Sequence, residues 1–133
     1  MRFVALIHKE PGRCFGVSFP DVPGCFSAGD TADEAVVNAV EALAGHVRML
    51  REDGQSDPHP RNLDDILADE MLADERTGAT IAFVPLLLDR GSTKRVNLSL
   101  DSGIVEAIDE AARERGMTRS AFVASAVRNE IVG

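Results

Sequence analysis

Tryptophan and tyrosine are absent from this chain, and its aromatic residues are six phenylalanines in 133 positions. Long apolar runs are missing as well. None approaches the 18 or so residues of a membrane span, and the apolar stretch at positions 3–7 is too short for a signal peptide and has no small-residue cleavage site. The cytoplasm is therefore the expected compartment. Net positive charge is lacking too: 14 Lys+Arg against 22 Asp+Glu give a formal charge of -8. At face value that disfavours nucleic acid, because phosphate attraction needs positive charge. What is present, 44% hydrophobic and 27% charged residues, excludes a disordered or collagen-like chain. The length allows one domain or two small ones.

The average charge hides a division. Residues 1–92 hold 8 basic and 16 acidic side chains, and residues 93–133 hold 6 of each. The whole acidic excess therefore belongs to the first two-thirds. Within it, Asp64, Asp65, Asp69, Glu70, Asp74 and Glu75 follow one another with no Lys or Arg between them. A boundary is expected near the polar stretch 89–93, separating a first domain (1–90) from a second (93–133).

In the first domain, residues 1–8 and 13–19 read as strands, the latter alternating Cys14, Gly16 and Ser18 against Phe15, Val17 and Phe19. Residues 25–28 form a third. Glu10-Pro11-Gly12 and the Pro20–Gly24 stretch supply turn chemistry, so the three strands should make an antiparallel meander. Thr31-Ala32-Asp33-Glu34 fits a capping box opening a helix. Val36, Val40, Leu43, Val47 and Leu50 line one face of it and Gly54 ends it. A shorter helix follows over Leu63, Ile66, Leu67, Met71 and Leu72, with the acidic run on its solvent side, and Gly78 closes it. Residues 79–88 form a last strand, placed at an edge or bulge by Pro85. The expected class is α+β, an antiparallel β-β-β-α-β domain with its helices on one face.

The two cysteines do not pair on this reading. With the hairpin pivoting at Asp21-Val22, Cys14 faces Gly29 and Cys25 faces Ser18. The sulfurs then lie roughly 13 Å apart along the ribbon, where a disulfide needs Cα atoms within about 7 Å. His8, His46 and His59 are scattered. No metal site, no cofactor and no catalytic residue is expected.

The second domain opens with strict alternation. Val96, Leu98 and Leu100 point one way, and Arg95, Asn97 and Ser99 the other. Asp101 or Ser102 caps a helix whose apolar face holds Ile104, Val105, Ile108, Ala111 and Ala112. Gly116 stops it, and Thr118 caps a final helix carrying Phe122, Val123, Ala126, Val127 and Ile131. About forty residues cannot enclose a core alone, and a lone strand leaves both edges unpaired. A homodimer, or a higher oligomer built on it, solves both problems. Paired antiparallel strands would bury Val96, Leu98 and Leu100 over Ile104, Ile108, Phe122, Val123 and Val127. The outer face would present Arg95, Asn97 and Ser99 twice, in a ribbon that fits the major groove. Arginine reads guanine, asparagine reads adenine, and serine serves either. Lys94, Thr118, Arg119 and Ser120 would hold DNA phosphates.

Residues 94–132 resemble the ribbon-helix-helix (β-α-α) repressors of the Arc and MetJ class, with Lys94-Arg95-Val96-Asn97-Leu98-Ser99-Leu100 at the DNA-reading strand and Gly116-Met117-Thr118-Arg119-Ser120-Ala121-Phe122 at the inter-helix turn. The first part resembles the HicB antitoxin family in Phe19-Pro20-Asp21-Val22-Pro23-Gly24-Cys25-Phe26-Ser27-Ala28-Gly29-Asp30-Thr31, followed by Glu34-Ala35 and an alanine-rich helix. That resemblance implies a degenerate RNase H-like domain and a type II toxin–antitoxin role. The first domain would sequester a small basic HicA-like ribonuclease toxin, and the second would repress the operon by binding operator DNA. Asp64, Asp65, Asp69 and Glu70 are the expected toxin contacts. An active RNase H centre needs convergent carboxylates on Mg²⁺, one of them on the first strand, and residues 2–8 contain no acid. The alternative is a stand-alone ribbon-helix-helix regulator whose first domain binds a small ligand or oligomerises.

Overall fold

The computed structural model describes residues 1–9 and 11–132, which divide into two compact units, Met1–Leu88 and Asp89–Gly133. The first is built on strands β1 (Arg2–Lys9), β2 (Phe15–Ser18), β3 (Phe26–Gly29) and β4 (Thr80–Pro85) in the antiparallel order β3-β2-β1-β4. Central β1 is buried on both faces, as its near-continuous Phe3-Val4-Ala5-Leu6-Ile7 run requires. Pro85 ends β4, which pairs only with β1 and so lies at an edge.

Helix α1 (Ala32–Glu52) starts where the Thr31 hydroxyl accepts the Glu34 N–H at 3.1 Å. It lies against β3, β2 and β4. Its buried face is Ala35, Ala39, Val40, Leu43, Ala44 and Val47, so the contact runs through small residues as much as through the valine-leucine stripe. The outer edge of β3 is blunted by the same helix. Asn38 donates to the Ala28 carbonyl at 2.9 Å and the Ser27 hydroxyl to the Ala35 carbonyl at 3.1 Å.

Three expectations are corrected. The β2–β3 hairpin pairs Phe15 with Gly29 and Ser18 with Phe26, one residue away from the expected register. Its connection is an odd seven residues centred on Val22, which is only 1% exposed and acts as a buried pivot. Cys14 and Cys25 remain free, the first exposed and the second buried. Second, the helices do not share one face. Ile66 and Leu72 pack on Val4, whose side chain points away from those of Phe3 and Ala5. Both faces of the sheet are thus covered at β1. Third, the second helix is broken. Helix α2 (Leu63–Ala68) ends at Asp69, a 3-10 turn follows (Glu70–Leu72), and then α3 (Ala73–Arg76). Asp69 adopts an extended backbone (φ -77°, ψ 106°) with its carboxylate on the Met71 N–H, while the Arg76 guanidinium takes the Ile66 and Asp69 carbonyls. Those bonds satisfy the helix end that a continuous helix would not have.

The second unit holds α4 (Ser102–Glu114) and α5 (Arg119–Val132). Asp101 caps α4 through the Gly103 N–H, and Gly116, at φ 66°, lets the Met117 N–H reach back to the Ala112 carbonyl at 2.8 Å. Residues 92–100 form no strand within the single chain. The expected ribbon strand has no partner there to pair with.

Candidate partner and nucleic-acid interfaces

A folded unit of this composition should bury its large apolar residues. Among the described residues, the second unit buries only Ala112 of its hydrophobic side chains. Val96 and Leu98 are each 66% exposed, and Leu100, Ile104, Val127 and Ile131 are exposed with them; Ile108, Phe122 and Val123 are half-buried. Arg95, Asn97 and Ser99, expected to read bases, stand in the exposed run between the alternating apolar residues. Lys94 is exposed beside them.

The residues expected to hold phosphate fall at the start of α5. The Thr118 hydroxyl accepts the Ala121 N–H at 3.1 Å and so acts as the cap, and Ser120 is exposed. Arg119 is already engaged. Its Nε and Nη2 each donate to a different oxygen of Asp109 at 2.8 Å, a bidentate pair that joins α5 to α4. The same pair holds the Asp109 carboxyl below the usual carboxylate range. Arg115 stacks over the Phe122 ring at 5.3 Å and strengthens this corner. A phosphate at Arg119 would have to compete with Asp109.

In the first unit the acidic residues divide by role. Asp64, Asp65 and Glu70 are exposed. Asp69 is a structural residue. Arg61 donates from Nη1 to Asp69 at 2.9 Å, and from Nε and its backbone N–H to the two oxygens of Asp21, both at 2.7 Å. Arg61 and then the Met71 N–H hold the Asp69 carboxyl below its usual range. This clamp ties the β2–β3 turn to the 69–76 segment across forty residues of sequence. No local pattern marks Arg61, which lies in a loop after Pro58 and Pro60.

Leu6, Ser18 and Phe26 stand opposite one another across β1, β2 and β3 and therefore share a face with Val4. Residues 63–76 cover that face at β1 but leave it open at β2 and β3, where Phe26 is 70% exposed. Periodicity could not single out Phe26, because a phenylalanine on a short strand reads as core. Burial raises the Cys25 thiol above its usual pKa, keeping it protonated and a poor nucleophile. Among the described residues, no three His, Cys, Asp or Glu side chains converge to hold a metal ion, and no helix is long and apolar enough to cross a membrane.

Comparison with known proteins adds a lineage to this geometry. Residues 3–127 match the profile of a family described as HicB-like antitoxin of bacterial toxin–antitoxin system. The crystal structure of the Burkholderia pseudomallei antitoxin HicB is similar, with 34% identity, 96% of each chain covered and a TM-score of 0.59. A chain in a HicA3 and HicB3 toxin–antitoxin complex is 33% identical, with a TM-score of 0.54 over 65% of this chain and 98% of that one. An uncharacterized 14.9 kDa protein from the rep-hol intergenic region of Haemophilus phage HP1 is 31% identical over 87% of each chain.

Proposed function

The chain belongs to the HicB-like antitoxin family of bacterial toxin–antitoxin systems, and on that footing we propose a division of labour between its two units. The sheet unit binds and neutralises a small basic HicA-like ribonuclease toxin. The second unit dimerises as a ribbon-helix-helix and represses the chain's own operon by holding operator DNA. Its compartment is the cytoplasm, where both partners are met.

The toxin assignment draws on the complexed relative. Its match takes in about two-thirds of this chain, the share that Met1–Leu88 makes up. The sheet unit carries the entire net charge of -8, which favours a basic partner and speeds encounter with it. On this reading the sheet is a degenerate RNase H-like domain that has kept a binding role, since β1 offers no carboxylate for metal.

The DNA assignment rests on one observation above the others, the near-absence of burial in the second unit. Val96, Leu98, Leu100, Ile104 and Val127 are all exposed in a single copy. A second copy, pairing residues 94–100 antiparallel, covers them and supplies the missing ladder. The pairing also turns Arg95, Asn97 and Ser99 outward from both strands, with Lys94, Thr118 and Ser120 near the flanking phosphates. Arg95→Ala tests it. The variant should remain dimeric yet lose sequence-specific binding to the chain's own promoter, for about 1–3 kcal/mol per bidentate base contact, counted twice in the dimer. A gel-shift affinity unchanged from wild type would refute the ribbon.

A further inference from the structure

The open part of the sheet face is one wall of a groove. His8, Ser18 and Phe26 form its floor and one side, the β2–β3 turn contributes Pro23, and Leu72 and Glu75 form the opposite side. Its volume is about 400 Å³, enough for one large side chain and its neighbours. We propose that this groove is the toxin seat: an apolar side chain of the toxin docks between Phe26 and Leu72, while an adjacent Lys or Arg meets Glu75. The inference rests on the antitoxin reading and specifies the surface that carries it.

Three observations converge here. The first is exposure. Phe26 and Met71, which adjoins Leu72 on the 3-10 turn, are 70% and 91% exposed, and such apolar anchors inside a polar rim are characteristic of protein interfaces.

The second is charge. Glu70, Asp74 and Glu75 form no ion pair among the described residues, and the neighbouring cations are engaged elsewhere. Arg61 is held by Asp21 and Asp69, and Arg76 by two backbone carbonyls. Lys9 lies over Phe15, on the opposite face of the sheet. The rim is therefore acidic and uncompensated, which selects a basic protein.

The third is rigidity. The His8 Nε2–H bonds the Glu75 carbonyl at 2.7 Å and pins α3 to β1, while the Arg61 clamp pins the turn to Asp69. Both walls are fixed before a partner arrives, so little ordering entropy is lost on docking. The exposed residues of α2 then become a flank of the seat and not its centre.

The test uses the full chain and the cognate HicA-like toxin that the antitoxin reading requires, with affinity measured by calorimetry and neutralisation by relief of growth arrest. Phe26→Asp should weaken binding at least about a hundredfold and Phe26→Ala about tenfold, as expected for a buried aromatic anchor. Glu75→Arg should cost about tenfold, mostly in association rate. Val37→Asp makes the same apolar-to-acid change at an exposed position of α1 and should alter affinity less than about twofold. Melting curves show which variants stay folded. If the wild-type chain neither binds the toxin nor relieves the arrest, the antitoxin reading itself fails. If the wild type binds and both Phe26 variants bind as well as it does, the toxin sits elsewhere and the groove is overturned. Equal weakening by Val37→Asp also overturns it.

Discussion

At Gly29 a hydrogen is all that fits. A Cβ built there would lie 2.4 Å from the Ala35 nitrogen and 2.9 Å from its Cα, both backbone atoms of α1 that cannot swing aside. The close approach lets α1 cross over the end of β3 and bury Ala35 and Ala39. Gly29→Ala should therefore destabilise the sheet unit by about 1–3 kcal/mol, in the range of overpacked cores. Gly45 lies inside α1, with nothing within 4 Å of a Cβ added there, and should respond with the opposite sign. Gly45→Ala should stabilise by about 0.5–1 kcal/mol, the usual gain in a helix interior. Denaturant melts of the two variants check both directions, and a neutral Gly29→Ala would show that α1 can shift. At the same scale, Arg119 illustrates how an exposed cation need not be available. Its place after a helix cap suggests a phosphate ligand, whereas its bidentate bond reaches Asp109, ten residues away and beyond any local signal.

Caps and stops are local chemistry, and the sequence displayed them well. Thr31, Asp101 and Thr118 cap where their side chains can reach a free N–H, and Gly54, Gly78 and Gly116 take up positive φ at helix ends or turns. What escaped reading depends on contacts distant in the chain. The break between α2 and α3 is one case. The apolar spacing of Leu63, Ile66 and Met71 fits a continuous helix, yet Arg61, Arg76 and Asp69 together make the interruption stable. The one-residue shift in the β2–β3 register is another: the seven-residue connection is centred on Val22, which is buried in the unit. The Asp69 node also has a pH signature. Its folded pKa lies below the unfolded value, so in the acid range the unfolded chain binds the extra proton. Stability from this group is complete above the ordinary carboxylate pKa, about 3.9, and is lost as pH falls through the lower folded value. Asp69→Asn should therefore lower stability at neutral pH and flatten its decline below about pH 4. Asp57 and Asp109 are lowered in the same sense, so a residual slope remains. Urea midpoints across pH 2–7 distinguish the cases, and parallel curves for variant and wild type would remove Asp69 from the account.

For the whole molecule, the decisive contrast is between a unit with a core and a unit without one. The sheet unit completely buries Phe3, Leu6, Leu43, Val47, Ile66 and Val84, each worth about 1.5–3 kcal/mol relative to exposure. The second unit has nothing comparable in a single copy. On the proposed dimer its stability comes from association, and association makes an unfolding midpoint depend on concentration. Two thermal responses are expected from one chain. The sheet unit should melt at a temperature independent of concentration, whereas residues 89–133 should melt later as the protein is concentrated. Leu98→Asp places a carboxylate at the centre of the proposed ribbon, where antiparallel pairing would bring two copies together. It should abolish the concentration-dependent transition and leave the sheet unit's melt unchanged. Because the acidic excess lies wholly in the sheet unit, the variant should still bind a basic toxin while losing operator DNA. Circular dichroism at protein concentrations a hundredfold apart, read beside sedimentation, decides the matter. A second unit that melts identically in the variant and wild type would mean that its exposed apolar face is covered by something other than its own copy.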